Sequence, residues 1–389
     1  MRTSRYLIVG GGLTADAACK GIRELDPNGM IVLVGEEPHP PYSRPPLSKA
    51  LWKGEGESTI WRGTEELGVE LRLGRRIVTL DLHAKVATDD EGERYGYERL
   101  LLATGGRPRR LPFGGDEVNY FRTVDDYRHL RALADEGAAF VVIGGGFIGS
   151  EIAAALALNG CSVRMVFPDP GIGARFFPAS LSAALSDHYR DRGVELLPRA
   201  SVTGIERGRV SLEDGRTLEA GAVVAGIGIE PNVELAAEAG LPVRNGIVVD
   251  AFGRVGGRED VFAAGDVARF PVAALGSELR VEHEDHAKSH GRQVGANMAG
   301  ADEPYDHLPF FYSDLFDFGY EAVGELDSRL ETLADEDERD AGTIYYYLDR
   351  ERRPRGILLW NIFGQVDAAR GLIRAGEPIT RGALAAPVA

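Results

Sequence analysis

The stretch Tyr6-Leu7-Ile8-Val9-Gly10-Gly11-Gly12-Leu13-Thr14-Ala15 opens with apolar residues and breaks into three glycines. A run of helical composition from Asp16 to Leu25 and a second apolar run, Met30 to Val34, follow it. Strand, glycine turn, helix and strand in this order hold a dinucleotide pyrophosphate at the helix N-terminus, where free N–H groups and the dipole favour an anion. Gly10 permits the tight turn, Gly12 lets backbone approach the phosphates, and Ala15 replaces the third glycine. Glu36 closes the second strand, about where a carboxylate accepts the two hydroxyls of a ribose.

The same order recurs in Phe140-Val141-Val142-Ile143, Gly144-Gly145-Gly146-Phe147-Ile148-Gly149, a helix from Glu151 to Leu158 and a strand from Ser162 to Phe167, with Asp169 as the terminal acid. One glycine pattern is shared with ordinary turns; two complete units in one chain specify an α/β protein with two dinucleotide sites. Leu101-Leu102-Ala103-Thr104-Gly105-Gly106 and Val261-Phe262-Ala263-Ala264-Gly265-Asp266 are short apolar strands ending in small residues, suited to close backbone approach to a ligand. Asp266, as a carboxylate at a strand end, suits a sugar-alcohol chain and equally suits a turn.

Composition narrows the classes. At 389 residues and 44% hydrophobic, the chain is long enough for two or three domains. No apolar stretch approaches the ~18 residues of a membrane helix, and Met1-Arg2-Thr3 leads straight into a strand, so a cytoplasmic protein without membrane contact is expected. A formal charge of −16 argues against nucleic acid. Cys19 and Cys161 lie far apart, outside any C-x-x-C pair, and both read as core residues. His283 and His286 lack a third clustered imidazole, so no metal is expected.

Pro41-Tyr42-Ser43-Arg44-Pro45-Pro46-Leu47-Ser48-Lys49 together with Glu282-His283-Glu284-Asp285-His286-Ala287 resembles the ferredoxin reductase-like FAD-dependent pyridine nucleotide oxidoreductases, and among them the apoptosis-inducing factor-like branch. The likeness spans nearly the whole chain. Phe311-Tyr312-Ser313-Asp314, Gly319-Tyr320-Glu321-Ala322-Val323-Gly324 and Leu359-Trp360-Asn361-Ile362-Phe363 separate this branch from glutathione reductase-like relatives. The resemblance implies an α/β fold with two Rossmann-like dinucleotide-binding domains, for FAD and NADH, in a glutathione reductase-like arrangement, plus a C-terminal α+β domain. The expected boundaries are 1–112 and 237–304 for FAD, 113–236 for NADH and 305–389 for the last domain.

By the same resemblance FAD is expected on Gly10, Gly12, Leu13, Thr14, Glu36, Arg44, Lys49, Ile77, Thr104, Gly105, Arg122, Asp266, Glu282, His283 and Tyr312. NADH is expected on Gly146, Phe147, Ile148, Gly149, Glu151, Asp169, Arg175, Gly228, Glu321, Trp360 and Asn361. The resemblance gives catalytic roles to Lys49 and Glu151, as an ion pair beside the reactive flavin edge, and to Phe147, as a ring covering the flavin until nicotinamide displaces it. His283 is expected at the flavin pyrimidine side. Arg44 suits a diphosphate because its charge never titrates away. Asp169 would repel a 2′-phosphate, favouring NADH over NADPH, and Arg175 softens that preference. Tyr312 stands where the family's W-S-D segment has tryptophan, so stacking there is expected to be weaker.

The expected activity is hydride transfer from NADH to FAD, then electron transfer to a ferredoxin, a rubredoxin or a quinone-like acceptor. The alternative, from another class, is a redox-sensing protein whose long-lived FADH2–NAD charge-transfer complex controls dimerisation or partner binding; monomer and redox-dependent homodimer stay open. No redox cysteine lies near Arg44 to Lys49, which counts against disulfide reductases. No mitochondrial presequence is read, and the loop between Leu326 and Thr343 is short where the branch carries a regulatory insertion. Arg350, Arg352, Arg353 and Arg355 could dock an acidic ferredoxin by charge steering, but they interleave with Asp349, Glu351 and the turn-forming Pro354, which favours a solvated hairpin. The acidic run Asp335 to Asp340 predicts an exposed mobile loop.

Overall fold

A computed structural model describes residues 2–337 and 342–379. The chain forms two compact units, one of Met1–Arg44, Glu57–Arg107 and Glu230–Pro309, the other of Pro45–Gly56, Pro108–Ile229 and Phe310–Ala389.

The first unit is built on a seven-stranded sheet. Arg2–Val9 is flanked by parallel strands Ile31–Gly35 and Arg94–Leu102, so the strand order reverses there. Glu70–Leu73 extends one side. Val86–Asp89 and Ile77–Asp81 extend the other antiparallel, while Val261–Ala263 pairs parallel with the end of Arg94–Leu102. The inner strand residues Leu7, Ile8, Leu33, Leu101 and Phe262 are almost wholly buried, the continuous apolar run of a sheet covered on both faces.

Helix Leu13–Leu25 packs on helix Glu284–Met298 with the two backbones in close approach at glycines. A Cβ added at Gly295 would lie 2.2 Å from the Ala18 carbonyl oxygen, and one at Gly21 would lie 2.0 Å from that of Arg292. Beneath this pair Phe270, His286, His290 and Tyr305 stack, with His286 at 4.5 Å and 16° to Phe270 and at 4.8 Å to His290. The Gly265 N–H donates to His290 Nδ1 at 3.3 Å, and Tyr305 hydroxyl meets His286 Nδ1 at 3.2 Å and Ser289 Oγ at 2.8 Å.

The second unit contains a five-stranded parallel sheet in the order Glu195–Pro198, Val163–Phe167, Phe140–Ile143, Ala222–Ala225 and Val118–Tyr120. It also holds a five-stranded antiparallel sheet in the order Phe310–Leu315, Phe318–Gly324, Pro354–Trp360, Gly342–Leu348 and Glu331–Asp337, with helix Val366–Ala375 against it. Helix Val124–Asp135 starts in a capping box in which Thr123 and Asp126 each satisfy the other's backbone N–H.

Several elements differ from the sequence reading. Both nucleotide helices begin earlier, at Leu13 and Phe147 rather than Asp16 and Glu151, because the glycine turns close directly into helical hydrogen bonds such as Asp16 N–H to the Gly12 carbonyl. Residues Asp335, Glu336 and Asp337 are not loop but strand, in register with Ile344, Thr343 and Gly342; the rest of that acidic run lies outside the described residues. Pro354 opens a strand instead of forming the turn, while Arg352 and Arg355 pair with Glu331 and Glu325. Cys19 is buried, but Cys161 is only half-buried, because it follows the helix end on the outer side.

The contact division also departs from the expected domain limits. Pro45–Gly56 joins the second unit because its short 3-10 turns pack on helices Phe147–Leu158 and Val124–Asp135, and Phe310–Leu315 packs on Phe147–Leu158 as well.

Two stability measurements check this packing. Gly295→Ala forces apart two helix backbones and should destabilise the protein by about 1–3 kcal/mol. Gly371→Ala, on an exposed helical position with nothing within 4 Å of the new methyl, should instead stabilise it by about 0.5–1 kcal/mol. Urea unfolding midpoints distinguish the signs.

Burial, and then the neighbouring His283 and His307, push the His286 imidazole down to about 3; burial and then His286 hold His290 well below its ordinary value. The unfolded chain takes up these protons near pH 6.5 whereas the folded chain resists, so their contribution is complete above that pH and drains as pH falls towards 3. Unfolding titrations at pH 6.5 and 5.5 should differ by about 1 kcal/mol per histidine. His290→Asn, which keeps an acceptor for the Gly265 N–H, should remove about half of that slope.

Candidate functional site

In each unit the expected ligand residues gather at the carboxyl ends of parallel strands, the edge where open α/β sheets bind nucleotides. In the first, Gly10–Gly12 follow Arg2–Val9, Glu36 follows Ile31–Gly35, Thr104 and Gly105 follow Arg94–Leu102, and Asp266 lies just beyond Val261–Ala263. Gly10 takes φ +127°, and a Cβ there would sit 2.1 Å from the Ala103 carbonyl oxygen. A Cβ at Gly12 would meet nothing within 4 Å. That open space, beside a helix N-terminus with no side-chain cap, fits a diphosphate.

The surrounding groups are already ordered. Glu36 is exposed at its strand end, free of the core. Arg44 donates to Glu37 Oε1 at 2.5 Å and to the Tyr42 hydroxyl at 2.9 Å, which keeps a guanidinium in place for an anion. Thr104 Oγ1 donates to the Asn232 carbonyl at 2.7 Å, and Asn232 Nδ2 donates back to the Thr104 carbonyl at 2.8 Å. Leu13 and Thr14 are buried, and a Cβ at Gly265 would strike Thr14 Oγ1 at 2.1 Å, so the first helix and the Gly265-Asp266 turn touch. His283 is the N-cap residue of helix Glu284–Met298, and Glu282 pairs with Arg280 at 2.6 Å.

Gly144 repeats Gly10 in the second unit, with φ +111° and a Cβ that would lie 2.4 Å from the Gly226 carbonyl oxygen. Gly146 repeats Gly12, with open space around its missing Cβ. The third small residue is stricter here, because a Cβ at Gly149 would lie 2.1 Å from the Gly144 carbonyl oxygen. Ile148 is exposed at the helix start. Asp169, beyond Val163–Phe167, is paired with Arg175 Nε at 3.0 Å, so the acid and its moderator form one contact. Gly228, at φ +94°, accepts from the Arg109 N–H at 2.9 Å.

Lys49 and Glu151 form a buried pair at 2.6 Å, with side chains 11% and 6% exposed. Lys49 Nζ also lies 5.5 Å from the Tyr312 ring centroid. Phe147 stacks on Phe176 at 4.1 Å and 21° and meets Phe311 edge-on at 5.4 Å. Glu321 accepts from the Gly364 N–H at 3.0 Å, and Asn361, at φ +53°, accepts from the Gly319 N–H at 3.1 Å.

Two expected residues point elsewhere, and one changes company. The Trp360 indole is buried, stacked on Tyr320 at 5.8 Å and edge-on to Phe177, because its strand position faces the packed side of the antiparallel sheet. The Ile77 side chain is likewise core, at the head of its strand. Arg122 belongs to the second unit, where its N–H donates to Asp126 Oδ2 at the carboxyl edge of the parallel sheet. Sequence reading missed Phe176, Asn232, Ser48 and Ser313; the last two were within reach, since each adjoins a residue already singled out.

Among the described residues no group of three or more histidine, cysteine or acidic side chains could hold a metal, and no helix is long and apolar enough to cross a membrane. Both cysteines are free, and neither belongs to the Lys49 cluster.

Comparison with known proteins agrees with this geometry. Residues 4–291 match the family model for pyridine nucleotide-disulphide oxidoreductases, and residues 294–336 match the model for the C-terminal part of mitochondrion-associated apoptosis-inducing factor. The ferredoxin–NAD(+) reductase component of the anthranilate 1,2-dioxygenase system of Burkholderia cepacia is 35% identical over 392 residues, covering 97% of this chain and 95% of that protein. Apoptosis-inducing factor 1, mitochondrial, of Dictyostelium discoideum is 34% identical over 417 residues, covering 95% of this chain and 78% of that protein. The covalent putidaredoxin reductase–putidaredoxin complex has a chain that superposes with a TM-score of 0.91 at 29% identity, covering 99% of this chain and 96% of that one. With two glycine cradles of matching geometry and relatives of this extent, the chain belongs to the pyridine nucleotide-disulphide oxidoreductase family, as a ferredoxin reductase-like, FAD-dependent NAD(P)H oxidoreductase.

Proposed function

We propose that this protein takes hydride from NADH onto FAD and delivers the electrons one at a time to a small iron–sulfur protein of the ferredoxin or rubredoxin type. The observation that carries the reading is the duplicated cradle: each nucleotide helix starts beside an unfilled Cβ position, and each sheet places a carboxylate, Glu36 or Asp169, at its next strand end. Flavin supplies the chemistry that converts a two-electron donor into single electrons, and the protein supplies position and electrostatics.

Gly10, Gly12, Leu13 and Thr14 would hold the FAD diphosphate with Arg44, while Glu36 would take the adenosine ribose. Thr104, Gly105, Asp266, Glu282 and His283 complete the first unit's set; the resemblance adds Lys49, Arg122 and Tyr312 to the residues expected for FAD. Gly146, Ile148 and Gly149 would cradle the NADH diphosphate, Asp169 its adenosine ribose, and Gly228, Glu321 and Asn361 its nicotinamide half. Lys49 would place a positive charge where negative charge develops on flavin reduction, with Glu151 holding it there. Phe147 would cover the reacting face and move aside for nicotinamide.

A ferredoxin-type acceptor draws support from the Burkholderia relative and from the putidaredoxin complex. The likeness to apoptosis-inducing factor supports the second reading, a redox-sensing protein with a persistent reduced complex.

Anaerobic stopped-flow mixing separates the two. NADH should bleach the flavin about tenfold or more faster than NADPH, which corresponds to ~1.4 kcal/mol of discrimination. Added ferredoxin should reoxidise it rapidly; a reduced complex that outlasts air and every acceptor would move the assignment to the redox sensor. Asp169→Ala removes the repulsion of a 2′-phosphate and leaves Arg175 to receive it, so the same assay should then show the two cofactors within about threefold of each other.

A further inference from the structure

The Glu151 carboxylate is gripped from three directions within the second unit. Its Oε1 accepts from Lys49 Nζ and from Ser313 Oγ, each at 2.6 Å, and its Oε2 accepts from Ser48 Oγ at 2.6 Å. Ser48 and Ser313 are as buried as the carboxylate they serve. The donors come from two places: Ser48 ends 3-10 segment Pro45–Ser48 and Lys49 follows it, just before Ala50–Lys53, while Ser313 comes from strand Phe310–Leu315.

Such an arrangement meets what a buried ion pair requires. A buried pair is stable only where the remaining lone pairs of its carboxylate are satisfied, and a lysine on its four-carbon stem has wide freedom unless its partner is fixed. Here Tyr189 and Tyr320 approach the same carboxylate, and burial followed by the charge of Glu151 pushes both hydroxyls well above their usual value, so these neighbours remain neutral. Lys49 is the cation at 2.6 Å, and the two serines occupy the other directions of approach.

From these contacts we infer that Ser48 and Ser313 are positioning residues: by fixing both oxygens of Glu151 they fix the ammonium of Lys49. Ser313 makes this a task of the C-terminal antiparallel sheet, which thereby sets the location of a charge carried by a distant turn. The consequence for electron transfer rests on the proposed placement of Lys49 beside flavin; the positioning itself does not.

The test uses the FAD-loaded protein and the variants Ser48→Ala, Ser313→Ala, their double combination and Ser313→Thr. Competitive acetylation with acetic anhydride, read by mass spectrometry, reports the exposure and freedom of Lys49, with the exposed Lys53 as internal reference. The double variant should label Lys49 about fivefold or more faster than the parent at unchanged Lys53 labelling, and Ser313→Thr, which keeps the hydroxyl, should label like the parent. In stopped-flow reduction the double variant should lose about tenfold in the limiting rate with the NADH concentration dependence unchanged, as for an interaction made at the reacting centre.

Unchanged Lys49 labelling in the double variant, or accelerated labelling in Ser313→Thr equal to that of Ser313→Ala, would overturn the inference. Accelerated Lys49 labelling in the double variant, with parent-like flavin reduction in both the double variant and Lys49→Met, would uphold the positioning and sink the placement of Lys49 at the flavin.

Discussion

Backbone that has to meet a diphosphate cannot carry a side chain at the point of approach, and both sheets are arranged around that restriction. The turn glycines Gly10 and Gly144 run at positive φ directly against the carbonyls of Ala103 and Gly226, each at the exit of the neighbouring strand. Fixing one turn therefore fixes what the adjacent strand may end in. This is why Arg94–Leu102 gives way to Ala103, Thr104 and Gly105, and Ala222–Ala225 to Gly226 and Gly228. Small residues at four strand ends are one constraint seen twice. The helix pair of the first unit extends it, since Gly21, Gly291 and Gly295 let helix Glu284–Met298 lie on the backbone of the nucleotide helix and bring His283 and the Gly265-Asp266 turn along with it.

Charge inside the two units is handled differently. Each nucleotide helix carries a buried acid in or near its first turn, where the helix dipole favours it. Asp16 meets two cations and a hydroxyl: Lys20 at 2.8 Å, Arg62 at 3.2 Å and Thr64 Oγ1 at 2.8 Å. Glu151 meets one cation and two hydroxyls. The first arrangement is an anchor, tying the helix to the segment Trp61–Thr64. The second leaves Lys49 as the acid's single cation at salt-bridge distance among the described residues, and breaking it would strand a buried charge at a cost of about 3–5 kcal/mol.

How far the fold could be read in advance depended on whether its cause was local. The two cradles were legible because strand, turn and helix follow one another within thirty or so residues, so the restriction on glycine is written in sequence order. The segment Asp335–Asp337 was not, because its strand character comes from pairing with Gly342–Ile344 and overrides a composition that favours solvent. The placement of the Trp360 indole was hidden for the same reason: its ring neighbours Tyr320 and Phe177 come from other elements, and only the register shows that the ring faces inward. Lys49 and Glu151 were found through a resemblance. The serines that hold them each adjoin a residue already singled out, but they are separated from the carboxylate by 103 and 162 residues, so their shared partner is not written in sequence order.

The grouping of Pro45–Gly56 with the second unit follows from that same cluster and alters how the reacting end should be understood. Residues expected around the FAD diphosphate and its ribose belong to the first unit, whereas Lys49, Glu151 and Tyr312 belong to the second, where Lys49 meets both of the others, and Phe147 lies on the same helix as Glu151. A lysine nominally in the FAD segment is held by a glutamate of the second nucleotide helix and a serine of the C-terminal sheet. Phe147, on that same helix, is held by Phe176 from the turn before helix Ala179–Asp191 and by Phe311 from the C-terminal sheet. The residues expected at the first glycine turn and those gathered around Lys49 are therefore held by different packing. Substitutions in the antiparallel sheet can alter the electrostatics around Lys49 while the glycine turn, Glu36 and Arg44 of the first cradle stay as they are.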